Sequence, residues 1–377
     1  MTDSTTARSF FILTLIFSLI AMGILNANIA IGIDAFAKKN KTSSSYRANS
    51  RGSGSSRDKG SGTTGDSDKQ IDEPNVLPSP VGTTSNSKFV IINFDDSHES
   101  DYTYAKPILD KYGFKATFFE VCNWVEAGYH ESDISTTWKQ ITALQQDGMD
   151  IEAHTMTHPN LNDLSQADLD YEIGQSKQCL ENHGINSTIF AYPNAEGSDN
   201  TKVVNTVAKY YNLARTDSKS ALTFLHCDRN SELQQTDCGI FFSDGTLTPS
   251  NRYSINSWAH KHIEEGCSAT SADNGDTGTC TTIRREYNNS QMFEKFVAAV
   301  NSQDNYNKDG IVRAIPIIIY HTIVNYPDLS DSNRPIDTTL NLFDAEMRYL
   351  YDNGFKVITM SDLGYDENGK SLYIKGT

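Results

Sequence analysis

The chain has 377 residues, 48 acidic against 32 basic side chains, a formal net charge of -16 and 37% hydrophobic residues. That balance excludes nucleic-acid binding driven by overall basicity. The length is enough to bury a substantial core, in one large α/β domain or two smaller ones.

The apolar residues crowd into the first 33 positions and nearly vanish over the next fifty. Ser9 to Ile33 carries no charge and Phe10 to Leu25 is almost purely apolar, the pattern of a signal-peptide core or the start of a membrane span. As a helix, residues 9–33 would reach about 37 Å at about 1.5 Å per residue, enough to cross a hydrocarbon core of about 30 Å. Ala35-Phe36-Ala37 reads as a small-x-small cleavage site, so residues 1–37 are expected to be a cleaved signal peptide or a retained membrane anchor. Arg8 precedes the apolar run and Lys38, Lys39, Lys41 and Arg47 follow it, so charge does not decide the orientation. Residues 38–87 are rich in Ser, Gly, Thr, Asp and Lys without apolar periodicity, which predicts a flexible linker. A folded domain is expected over 88–377, outside the cell or at its surface.

Six cysteines, Cys122, Cys179, Cys227, Cys238, Cys267 and Cys280, make an even number in a chain that leaves the cytosol, which predicts disulfides. No CxxC pair occurs among them, so a cysteine-zinc site has little support. Four of the six fall in a polar stretch from about residue 224 to 282, expected to be an insertion stapled by the local pairs Cys227–Cys238 and Cys267–Cys280.

From Lys88 onward, short β-branched runs alternate with amphipathic segments. The expected strands are Phe89 to Ile92, Ala116 to Phe119, Met149 to Ile151, Thr188 to Ala191, Asn212 to Ala214, Ile315 to Tyr320 and Lys356 to Thr359. Between them, Tyr104 to Tyr112, Trp138 to Gln146, Gln166 to Leu180, Thr201 to Tyr211, Gln291 to Val300 and Leu342 to Asp352 have helical spacing. Gly113, Gly148, Gly184 and Gly354 each end a helix before a strand. This βα rhythm fits an α/β fold, as a parallel barrel or an open doubly wound sheet, with chemistry at the C-terminal strand ends in either case.

Three strands end in concentrated polar chemistry: Asp95-Asp96, His154-Thr155-Met156-Thr157-His158, and Tyr320-His321. Adjacent carboxylates at a strand end repel unless a cation neutralises them, though an Asx turn or helix N-cap also uses Asp. The His-x-x-x-His spacing can present two imidazoles to one divalent ion. Thr155 stands where a zinc protease needs Glu, which disfavours peptide hydrolysis. Pro159 ends any helix through His158, so the pair is expected on a turn.

Together with the Phe190-Ala191-Tyr192-Pro193 turn and the Ile317-Ile318-Ile319-Tyr320-His321-Thr322-Ile323 run, these motifs resemble the polysaccharide deacetylases, the NodB-homology group of carbohydrate esterases, from about Lys88 to Leu363. The resemblance implies a distorted (β/α) barrel with one divalent metal ion, zinc first among candidates, and removal of acetyl groups from an N-acetylated polysaccharide or oligosaccharide. It assigns Asp96, His154 and His158 as metal ligands, Asp95 as general base and His321 as general acid. The backbone N–H of Asn194 is assigned to the oxyanion and Thr155 to support of a ligand histidine. Three departures stand out. Ala191 occupies a slot where the family usually has Arg, leaving Arg215 as the candidate partner of Asp95. Ser97 replaces a frequent Gly. Asp217 and Trp258 are the available stand-ins for an Asp-Trp element near His321. Two other function classes stay open, a carbohydrate-binding relative without turnover and a metallohydrolase of esters or phosphates. Oligomeric state is not legible.

Overall fold

The computed structural model describes residues 88–376 except 131–132, 219, 226–250, 270–279, 309, 327–333 and 369–370. The expected signal or anchor, the linker and the Cys227–Cys238 and Cys267–Cys280 pairs lie outside the described residues or side chains. Among the described residues, no helix is long and apolar enough to cross a membrane.

Seven parallel strands close into a barrel: β1 (Phe89–Asp95), β2 (Thr117–Glu120), β3 (Asp150–Ala153), β4 (Ile189–Ala191), β5 (Leu213–Asp217), β6 (Ile255–Ala259) and β7 (Ala314–Tyr320). Closure comes from β1, which pairs with β2 on one edge (Phe94 beside Phe118) and with β7 on the other (Phe94 beside Tyr320). Of the two architectures left open by the βα rhythm, the chain adopts the barrel.

Two further strands distort its N-terminal end. Lys356–Ile358 pairs with the first half of β1, and Leu222–Phe224 runs antiparallel to the first half of β7. The opposite end, where the polar motifs lie, is gripped by β6, which pairs with Thr216 in β5 and with Ile318 and Ile319 in β7.

β6 corrects the expectation for residues 224 to 282. That stretch contains a barrel strand as well as the antiparallel ribbon Ile263–Ala269/Cys280–Glu286. Ile-Asn-Ser-Trp-Ala has too few apolar residues to stand out from its polar surroundings, and it is held as a strand by two neighbours distant in sequence.

Strand alternation divides the core. Phe89 and Ile91 of β1 join Phe119, Ile189, Ile315 and Ile317 in one cluster inside the barrel. Val90, Ile92 and Phe94 face outward and pack against Leu109, Phe343 and Met347 of the surrounding helices. β1 and β7 are buried on both faces along their whole length, which is why they read as unbroken apolar runs. The helices start on side-chain caps, such as Thr137 accepting from the Gln140 N–H and Asn288 from the Gln291 N–H. Gly113 and Gly354 end theirs at φ +70° and +68°, where a side chain would be strained. The predicted helix over 166–180 runs to Asn182 and contains a wide π-type turn, Asp170–Gln175. One disulfide, Cys122–Cys179, ties the helix Cys122–Ala127 to the last turns of that run.

Candidate metal centre

The three polar motifs converge at the C-terminal end of the barrel. Asp96 follows β1, and its Oδ1 lies 3.5 Å from His154 Nε2 and 3.3 Å from His158 Nε2. One ligand atom from each of the three residues falls within 4.8 Å of the others. His321, directly after β7, reaches Asp96 Oδ2 at 3.8 Å, and Asp95 Oδ2 lies 3.9 Å from His154 Nε2.

The turn carrying the histidines is built by local hydrogen bonds. The Thr155 hydroxyl accepts from the His158 N–H at 2.9 Å, which is the support expected of Thr155. Glu172, from the π-type turn, accepts from the N–H groups of Met156 and Thr157 at 3.0 and 2.9 Å and from the Thr157 hydroxyl at 2.6 Å. The segment after His154 is non-helical, as Pro159 implies.

Among the described residues, the non-glycine residues with left-handed backbone are Asp96, Ser97, Thr155, His158, Asn194 and Ala195, at φ between +55° and +74°. All six sit on the turns after β1, β3 and β4. Ser97 takes the conformation that glycine adopts without penalty, and Thr155, being β-branched, is the most strained of the set.

The donor set fits a cation. His154 Nδ1 lies 2.8 Å from the Ala191 carbonyl oxygen and must donate to it, which in the neutral ring leaves Nε2 as a bare lone pair aimed at Asp96. Burial above all, together with the field of His154, lowers the His158 imidazole to about 4, so this ring is neutral at neutral pH. Asp96 Oδ1, facing both rings, is buried without a hydrogen-bond partner. Lone pairs pointed at an orphaned carboxylate oxygen repel unless an electrophile sits between them. Burial works to raise the Asp96 carboxyl, but the neighbouring His154, His321 and His158 outweigh it and hold the group well below the usual carboxylate range.

Asp95 is paired with Arg215, the residue expected to replace the missing arginine at 191. Ala191 and Arg215 are register neighbours on β4 and β5, so the guanidinium starts one strand away and enters the same interior space. It stacks on Phe119, 4.5 Å from the ring centroid. Asn194 lies on the turn after β4 with its side chain exposed.

Asp217 and Trp258 are not partners of His321. The Asp217 carboxylate accepts from the Ala259 N–H at 3.1 Å and from Lys261 at 2.8 Å, and Trp258 packs edge-on to His260. β5 is separated from β7 by β6, which puts Asp217 two strands from His321. His321 Nδ1 is buried without a hydrogen-bond partner. Burial lowers the His321 imidazole, opposed by Asp96 and Asp95.

Four further residues shape the centre: Glu172, Glu120, Asp101 and Trp124. Burial pushes the Glu120 carboxyl up to about 7, opposed by a Ser97 hydrogen bond, and burial with the charge of Glu120 pushes Asp101 up as well. Trp124 walls the site, its ring 5.1 Å from that of His158 and stacked on His130. Glu120 ends the Phe118-Phe119 run as Asp95 ends β1, a signal that could have flagged it. Glu172 lies three residues after Leu169 on the buried helix face.

Residues 82–213 match the family model described as polysaccharide deacetylase. YxkH of Bacillus subtilis (strain 168), named for the same family, is 36% identical over 107 residues, 28% of this chain and 37% of that protein. A chitooligosaccharide deacetylase of Azorhizobium caulinodans is 29% identical over 135 residues, 36% of this chain and 60% of that protein. The chain therefore spans 37% and 60% of the lengths of these curated relatives. Among solved structures, the Streptococcus pyogenes deacetylase PplD in complex with acetate is 32% identical, over 35% of this chain and 57% of that one, with a TM-score of 0.33. The Xyl-CE4 domain of a xylanase from the hindgut metagenome of Trinervitermes trinervoides is 15% identical over 73% of this chain and 89% of that one, with a TM-score of 0.41.

Proposed function

We propose that the chain is a metal-dependent hydrolase that removes N-acetyl groups from a polysaccharide or oligosaccharide outside the cell or in its envelope. The observation that carries this reading is the orphaned Asp96 Oδ1 between the Nε2 atoms of His154 and His158. Asp96, His154 and His158 would hold one divalent ion, and two imidazoles with one carboxylate suit zinc with a coordination position left open. The names of the relatives support the acetyl-sugar substrate. The apolar segment 9–33 and the Cys122–Cys179 disulfide support an extracytoplasmic location, secreted or anchored.

When bound, the ion supplies Lewis acidity, polarising the substrate carbonyl and lowering the pKa of water toward about 7. Asp95, oriented by Arg215, takes a proton from the attacking water as its oxygen adds to the acetamide carbon. The negative oxygen that develops on that carbon is met by the backbone N–H of Asn194. His321 gives a proton to the sugar nitrogen as the C–N bond breaks, so that acetate and a free amino sugar leave. Thr155 and Glu172 keep the histidine turn in place, and Trp124 gives the site an aromatic wall.

The test is acetate release from N-acetylglucosamine oligomers. It is expected to stop with a chelator, to return with zinc, and to be lost in Asp95→Asn while the bound ion remains. Sugar binding without acetate from the intact protein would favour the carbohydrate-binding relative, and turnover confined to simple esters or phosphate diesters the other metallohydrolase.

A further inference from the structure

Beside the metal centre, a groove of about 730 Å³ opens between the ends of β5 and β6 and the ribbon Ile263–Ala269/Cys280–Glu286. Its floor includes Trp258, Ala259 and Lys261, and its outer wall Ile283 and Arg285. The groove adjoins the strand that bears His321: Ala259 is the register neighbour of Ile319, and the His260 N–H donates to the Ile319 carbonyl. The charge of Lys261 also acts on the His321 imidazole.

Cross-strand partners in the ribbon project from one face. Glu264 stands opposite Arg285 and Gly266 opposite Ile283, so this face turns toward the groove. The acids along the groove are already engaged. Asp217 pairs with Lys261, Glu264 accepts from Lys295 and from the Tyr287 hydroxyl, and Glu265 pairs with Arg284. The Arg285 guanidinium has no hydrogen-bond or ion-pair partner among the described residues. Ile283 beside it is 38% exposed, an apolar side chain on the rim of a space that would bury it on filling. At Gly266 an added Cβ would meet only the Ile283 carbonyl oxygen, at 3.9 Å, so the ribbon leaves room there that its fold does not require.

We propose that this groove is a subsite for a sugar unit bearing a carboxylate, next along the glycan to the N-acetylated unit at the metal centre, with Arg285 taking the carboxylate and Ile283 the apolar side of the ring. The inference rests on the deacetylase reading and narrows its substrate to an acidic heteropolymer. A guanidinium matches a carboxylate with two parallel donors. A chain of net charge -16 repels a polyanion as a whole, so a preference for an acidic glycan must come from a local cation.

The probes are a hexasaccharide alternating N-acetylglucosamine with glucuronic acid and, as the neutral comparison, chitohexaose. Each is titrated calorimetrically into the zinc-loaded full chain carrying Asp95→Asn, so that no turnover disturbs the measurement. The acidic hexasaccharide is expected to bind about tenfold more tightly than chitohexaose, the scale of one charge-assisted contact. Adding Arg285→Gln is expected to abolish that preference, and Gly266→Phe, which fills the groove from a position with space for it, to weaken the acidic ligand by a similar factor. Equal binding of the two probes, no measurable binding of the acidic one, or a preference that survives Arg285→Gln overturns the proposal. Acetate release by the unsubstituted chain separates the two readings. Release from chitohexaose with no acidic preference keeps the deacetylase and removes the subsite. An acidic preference lost in Arg285→Gln with no acetate from either glycan keeps the subsite and removes the deacetylase.

Discussion

Arg215 and Asp95, separated by 120 residues of sequence, form a buried ion pair inside the barrel mouth. Removing Arg215 leaves Asp95 buried without a counter-ion, which costs about 3–5 kcal/mol of stability. It also frees the carboxylate to shift, and a misplacement of about 1 Å lowers the rate on the order of 100-fold. Because Ala191 neighbours Arg215 on the same interior face, the double change Arg215→Ala/Ala191→Arg should restore a large part of both losses. Acetate release and urea melts of the three proteins check this, and a double variant no better than Arg215→Ala would refute it.

Glu172 grips the turn between the two histidines through the turn's backbone N–H groups and the Thr157 hydroxyl. Such outer partners tune metal affinity by about 10- to 100-fold. Glu172→Gln should therefore weaken zinc binding within that range in competition with a chromophoric chelator, and Asp96→Ala should abolish stoichiometric binding. An unaltered zinc affinity in Glu172→Gln would show that the turn holds its shape without the carboxylate.

In the metal-free protein, the Glu120 carboxyl should take stability away as pH rises. Glu120 titrates at about 7 in the folded chain, against about 4.5 for an exposed glutamate. Below about 4.5 both states carry the proton and the group is neutral in its effect. Between the two values only the unfolded chain releases it, so folding is disfavoured progressively, by up to about 3 kcal/mol once pH exceeds 7. In chelated protein, Glu120→Gln should then raise stability more at pH 8 than at pH 5. Parallel melting curves for the two proteins across that interval would count against the assignment.

The Cys122–Cys179 bridge closes a loop spanning 57 positions, for which chain entropy gives about 4 kcal/mol of stabilisation. Cys122 also begins the helix that holds Trp124 against His158. Replacing both cysteines with alanine should lower the denaturation midpoint and raise KM for oligosaccharides more than it changes kcat. A kcat loss at constant KM would mean that the helix acts on the chemistry rather than on the wall.

Most of the barrel was legible because β1 and β7 are buried on both faces and carry unbroken apolar runs, and because the glycines ending helices mark the αβ turns. The candidate metal centre was legible because Asp95-Asp96 and the two histidines interrupt such runs at their C-terminal ends. β6 escaped because five residues of mixed polarity become a strand only when β5 and β7 stand ready to pair with them. Glu120, Asp101 and Glu172 escaped for a related reason: an acid in a sequence reads as surface, and only the fold takes it out of water. Asp217 and Trp258 misled in the opposite direction, since closeness to a strand end does not say how many strands lie between.

The left-handed turns have a consequence for how the molecule comes apart. Each of the six strained residues is held uphill by about 1 kcal/mol or more, and what holds it is the closed ring of staves beneath. Strain stored in the mouth is released once that ring loosens, so on warming the proposed activity should fade before the barrel itself melts.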